Sequence, residues 1–233
     1  MGGKIQMLSA IASIWTAFIA TLALRAWGKT ANAQKHLEFL DKLIETVYEY
    51  IQAMVIPIQI WECSKRGIDI YSDMGKGHGS DSSIDGMIGY IKDHGKDDWS
   101  QLNIYLDKVR PITIRLEALA AKGQIFGFNN YKQCFDACRM LLWSFGQLEK
   151  CGYFIGNTNH FWENQLVNET MNKIVSVDAE SIRQNIQRQN GILLEFSRQA
   201  YADALGKKHN YSAIASACLL KAKACIDKLK HNG

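Results

Sequence analysis

Residues 36–61 read HLEFLDKLIETVYEYIQAMVIPIQIW, and the spacing of their apolar members decides the fold class. Leu37, Leu40, Ile44, Val47, Ile51, Met54, Ile58 and Trp61 alternate steps of three and four. That rhythm puts them on one stripe of an α-helix packed along its length against other helices. Pro57 falls inside the pattern. A mid-helix proline removes a backbone hydrogen bond at a cost of about 3 kcal/mol, so it is expected to mark a bend.

Toward the N-terminus, Met7–Leu24 (MLSAIASIWTAFIATLAL) contains no charged residue in eighteen positions. This is the lower limit for a helix that crosses a hydrocarbon core about 30 Å thick. Lys4 precedes the run, Arg25, Lys29 and Lys35 follow it, and Trp27 stands where an aromatic belt residue belongs. The positive-inside bias then predicts an outside N-terminus, a single-pass helix over residues 1–28 in the inner (cytoplasmic) membrane, and a cytoplasmic domain over 29–233. Ala31-Asn32-Ala33 resembles a secretory cleavage site, but the apolar run exceeds the usual span of about 7–15 residues and two cations intervene. A buried core helix is a poorer reading, since charges do not interrupt the run at helical spacing.

Small residues recur every fourth position within the run, at Ser9, Ser13, Ala17 and Thr21, with Ala12, Thr16 and Ala20 on the adjoining ridge. In lipid, close backbone approach over small side chains favours helix pairing, so these residues form the expected contact face for self-association or for a membrane partner.

Beyond residue 61 the reading stays helical, and the fold class expected is all-α, a bundle of about five or six helices. The first helix extends from the membrane to about Ile70, with Gly28 as its weak point. GKGHGSDSS, from Gly75 to Ser83, is a loop, and Ile84–Ile91 is a short helix stopped by Gly95. Asp98 with Gln101 forms a capping box that opens a helix carrying Trp99, Leu102, Leu106, Val109, Thr113, Leu116 and Ala120. Pro111 interrupts that helix as Pro57 interrupts the first. If the two helices form a hairpin, both bends lie at one level. Asn130 with Gln133 caps the next helix, whose apolar side holds Tyr131, Cys134, Cys138, Leu141, Phe145 and Leu148. After Gly156-Asn157, a shorter segment around Trp162, Leu166 and Ile174 leads to Asp178, the cap of a helix closed by Gly206. A last helix spans roughly Tyr211 to Lys230. No stretch alternates as a half-buried strand does.

Chemistry is sparse. Of six cysteines, Cys134 and Cys138 stand four apart on one seam and Cys218 and Cys225 seven apart on another, with no Cys-x-x-Cys and no histidine at ligand spacing, so the cysteines read as small core residues in a reducing compartment. No Glu precedes a His by three residues, which excludes the di-iron bundle motif. His160 and Glu163 could share a face, but a solvated helix start explains them. The Gly-rich 75–79 stretch lacks the strand and the Gly-Lys-Ser/Thr ending of a phosphate loop. No catalytic, metal or cofactor site is therefore expected. Of the net charge of +4, three units belong to residues 1–30, so the remainder is nearly neutral and does not fit a general nucleic-acid binder. Lys207, Lys208, Lys221, Lys223, Lys228 and Lys230 make the C-terminal helix basic, either as a solvated face or as a surface for anionic lipid. The sequons at Asn168 and Asn210 would not meet the glycosylation machinery in the cytoplasm.

Three function classes remain: a membrane-anchored, self-associating scaffold or adaptor; a membrane-acting effector of a bacterial stress or phage-defence system; and an all-helical enzyme without a familiar motif. The first is expected, because every strong feature is structural.

Overall fold

The computed structural model describes residues 2–75 and 82–204, with side chains for Thr21, residues 31–74 and residues 84–204. Among the described residues every regular element is helical, and no strand occurs. Helix α1 runs Gly2–Gly75, α2 Ser82–Tyr90, α3 Lys96–Gly123, α4 Tyr131–Gly156 and α5 Gln165–Val175; α6 covers residues 179–204. A π-helical turn, Ile91–Gly95, joins α2 to α3 without a break. The chain forms two compact units, Met1–Asp41 with Arg198–Gly233, and Lys42–Ser197.

Within Lys42–Ser197, four long helices pack with each neighbour antiparallel. Glu49 of α1 pairs with Arg115 of α3, while Lys42 shares a groove with Lys122, so numbers rise in one helix as they fall in the other. Arg110 of α3 meets Glu149 of α4 at 2.7 Å, and Tyr131 at the start of α4 donates to the Ala120 carbonyl at the end of α3. Between α4 and α6, Ser144 meets Asn185 and Tyr131 meets Phe196. Glu62 of α1 pairs with Arg183 of α6, and Tyr48 faces the same groove as Leu194. This is an up-down-up-down arrangement. Tyr50 reaches across the diagonal and donates to the Leu141 carbonyl at 2.5 Å.

The core settles which stripe of α1 is inward. Leu40, Leu43, Val47, Tyr50, Met54, Ile58 and Trp61 are buried, whereas Ile44 and Ile51, expected on the seam, lie at its edge. The expected stripe mixed two real ones that lie side by side. Trp61 is fully buried and its indole donates to the Val177 carbonyl at 3.0 Å, which satisfies its single polar atom.

Gly95 does not stop a helix. The chain passes through it in right-handed helical geometry, and a Cβ there would run into the Ile155 carbonyl oxygen of α4. The residue is small because two helices approach closely, not because the chain turns. Asp98 consequently lies inside a continuous helix and caps nothing; it accepts the Tyr90 hydroxyl instead, at 2.6 Å. Asn130 does precede α4, but in the left-handed region at φ 59° and with no side-chain cap, so the expected box with Gln133 is a backbone bond only. Gly127, at φ 63°, supplies the other left-handed position of this turn. Asp178 caps α6 as expected, accepting the Ser181 amide at 2.9 Å and hydroxyl at 3.1 Å. Residues 76–81 of the expected loop, Gly206 and the helix expected over 211–230 lie outside the described residues.

Candidate functional site

Both prolines lie within continuous helix, Pro57 buried in α1 and Pro111 exposed on α3. The Glu49–Arg115 pair fixes their relation. Counting up α1 and down α3 from it, Pro57 falls opposite a position near Asp107, so Pro111 stands about one turn away. Of the small residues expected to mediate pairing, only Thr21 has a described side chain, and it is exposed. Ser9, Ala12, Ser13, Thr16, Ala17 and Ala20 carry no side-chain description, and Lys207, Lys208, Lys221, Lys223, Lys228 and Lys230 lie outside the described residues. Among the described residues, no helix is long and apolar enough to cross a membrane.

A cluster of polar and aromatic side chains gathers where α1, α2 and the π turn meet. The extra residue of a π turn re-aims the side chains that follow it, which is why such turns recur at working sites. Here it brings His94 against two tyrosines. The Tyr71 hydroxyl is 3.0 Å from His94 Nε2, and the Tyr71, Tyr90 and His94 rings meet with centroids 5.1–5.7 Å apart. Tyr90 lies over Gly67, where any Cβ would strike its ring. Burial, then the Asp98 carboxylate it donates to, hold its phenol well above the usual tyrosine range, so it stays a proton donor. His94 and Tyr71 are hydrogen-bonded at the surface, while Tyr90 and Asp98 fix the ring geometry beneath them. In the sequence His94 is one of several scattered histidines. Its partner Tyr71 lies on α1, on a different helix, and no local spacing signals that the two meet.

A second polar group lies inside the bundle. Asn185 donates to Ser144 at 2.9 Å and accepts from Gln189 at 2.9 Å, with both carboxamides buried. A satisfied buried network of this kind fixes the pairing of α4 with α6. His160 is a third: it donates to the Phe154 carbonyl at 2.9 Å and stacks on the Phe154 ring, closing the end of α4. That is a capping role at the end of α4. The cysteines Cys134, Cys138 and Cys151 are buried on the inner face of α4, and Cys63 is exposed. Cys134 is held far above the ordinary thiol range by its hydrogen bond with the Cys138 thiol and by burial, and burial pushes Cys151 up to about 12. Among the described residues, no three of His, Cys, Asp and Glu gather as a metal site.

Two of the open grooves on the described surface have largely apolar walls. One of about 510 Å³ lies along α3, α4 and α5, with Trp99, Tyr153, Phe154 and Ile174 as its apolar wall and the Arg110–Glu149 pair at its rim. Trp99 rests on Gly152 and Gly156, whose missing Cβ atoms make room for the indole. The other, about 320 Å³, runs between α1 and α6 over Leu43, Val47 and Leu193, with Tyr48 and Leu194 beside it. Ser197 lines this second groove, and its buried hydroxyl has no hydrogen-bond partner. Compared with protein-family models, curated proteins and solved structures, the chain matches none.

Proposed function

We propose that this chain is a membrane-anchored adaptor: Met7–Leu24 spans the inner membrane once, and the bundle presents a protein-interaction surface on the cytoplasmic side. The observation that carries the reading is the continuity of α1, one helix from Gly2 to Gly75 that holds both the uncharged run and the first helix of the bundle. A hydrophobic run of this length, flanked on one side by Arg25, Lys29 and Lys35, has the composition of a signal-anchor. The groove along α3, α4 and α5 adds a surface of the right kind. Interfaces concentrate binding energy in Trp, Tyr and Arg set in well-packed pockets, and this groove offers Trp99, Tyr153 and Arg110. The small-residue face at Ser9, Ser13, Ala17 and Thr21 supports self-association of the anchors.

Membrane fractionation of the full chain, beside a chain starting at Lys29, tests this. The full chain should sediment with membranes and resist extraction by high salt, and the shortened chain should not. Protease added outside intact cells should leave the bundle whole. Recovery of a shortened, periplasmic product would mean that residues 7–24 are a cleaved signal.

A further inference from the structure

Ser197 departs from what serines do elsewhere in these helices. Ser64, Ser100 and Ser144 each donate to the carbonyl four residues earlier, which is how a hydroxyl within a helix satisfies itself. Ser197 is as buried as Ser64 and Ser144, at 2% exposure, yet its hydroxyl has no hydrogen-bond partner. A buried polar group left unpaired costs free energy, so it calls for a partner that the fold itself does not supply. The hydroxyl stands in the wall of the groove of about 320 Å³ between α1 and α6, within the size range of small-molecule sites.

The groove is a trough with polar ends. On α6, Asn190, Leu193, Leu194 and Ser197 fall at steps of three, one and three, so they share one face over two turns, about 10 Å. Buried Leu43 and Val47 of α1 form the floor, and half-buried Ile44 and Ile51 form the facing wall. Because α1 and α6 are antiparallel, Gln52 lies toward the Asn190 end and Ile44 toward the Ser197 end. No charged side chain lines the trough.

We infer that this groove binds a neutral, single-chain amphiphile: a medium-chain aliphatic molecule whose uncharged oxygen meets the Ser197 hydroxyl. The absence of charge in the lining sets the first property, since a carboxylate or ammonium placed there would be desolvated without a counter-ion. The distance between the polar ends sets the second, because an extended chain advances about 1.2 Å per bond and about eight carbons therefore fill the trough. The inference is independent of the anchor, as every lining residue lies within Lys42–Ser197.

Photolabelling tests it, with octan-1-ol carrying a diazirine in mid-chain as the probe and the full chain in a lysate free of detergent, which is itself an amphiphile. Peptide mass spectrometry should find the label within residues 43–52 and 190–197, several-fold above the larger groove at Trp99 and Tyr153. Excess octan-1-ol should suppress it, and octanoate at the same concentration should not. Ser197→Ala should lower labelling several-fold while the thermal midpoint, followed by protease resistance in the same lysate, holds or rises, because only an unpaired hydroxyl is lost. Label spread evenly over both grooves, or octanoate competing as well as the alcohol, overturns the inference. So does Ser197→Ala with its label intact, and a fall in its midpoint would show that the hydroxyl is bonded within the native fold and has no ligand to meet.

Discussion

Two glycines show how much a single missing Cβ decides in this bundle. Gly95 sits in the π turn with the Ile155 carbonyl in the space a methyl group would need, and a backbone oxygen cannot step aside as a side-chain tip can. Gly191 lies in the middle of α6 with nothing near its missing Cβ. The same substitution should therefore have opposite signs. Gly95→Ala forces the π turn and α4 apart and should cost about 1–3 kcal/mol or more, a fall of several degrees in the thermal midpoint. Gly191→Ala removes only backbone freedom from the unfolded chain and should stabilise by about 0.5–1 kcal/mol. Thermal unfolding of the detergent-solubilised chain by circular dichroism measures both; equal effects would mean that the π turn and α4 can part at Gly95 without loss. In the sequence Gly95 resembles a helix stop, because a glycine after an apolar run so often is one. What gives it its role is a residue on α4, far along the chain, and no local pattern contains that information.

At the scale of elements, the existence and extent of the helices can be read from periodicity alone, and their phase cannot. Steps of three and four along 37–61 require a helix whichever stripe faces inward, but α1 is apolar on two neighbouring stripes, and a seam drawn through both satisfies the rule equally well. Tertiary packing selects Leu43, Val47, Tyr50 and Met54. The cap at Asp178 is legible because its hydrogen bonds are local; the one expected at Asp98 does not form, because α2, the π turn and α3 continue as one helix. The two prolines test the packing at this scale. Standing about one turn apart on packed antiparallel helices, matched bends at Pro57 and Pro111 would let α1 and α3 follow each other, and straightening one alone would open a gap. Pro57→Ala and Pro111→Ala should then each gain less than the helical propensity of alanine promises, and the double variant should exceed their sum by about 1 kcal/mol. A double-mutant cycle by denaturant unfolding gives that coupling. A value near zero would show two independent interruptions.

For the whole molecule, the alkaline limb of stability follows from groups the bundle keeps neutral. Tyr50, on the diagonal of the core, and Tyr131 are held above the ordinary tyrosine range chiefly by burial, Tyr90 by burial and by Asp98, and Cys151 is pushed by burial to about 12. In the unfolded chain a thiol releases its proton near 8.5 and a phenol near 10. Above those values the unfolded state binds fewer protons than the native state, so the free energy of unfolding falls as pH rises. The stabilisation is complete below about pH 8.5 and is lost progressively toward pH 12, first through the thiols and then through the phenols, each contributing at most about 1.4 kcal/mol per pH unit. On the acid side the sign reverses. Glu62, held low by its bond to Arg183, and Asp178, held low by the Ser181 amide, stabilise above about pH 4 and lose that contribution as they are protonated. Both are exposed and solvent-screened, so this limb is shallow. The thermal midpoint should be nearly flat from about pH 6 to 8 and fall steeply above about pH 9. Tyr50→Phe discriminates the cause: it costs about 1 kcal/mol at neutral pH through the lost bond to Leu141, but flattens the alkaline limb by removing one titrating group. An alkaline slope unchanged in Tyr50→Phe would place the proton release elsewhere than in the buried diagonal of the core.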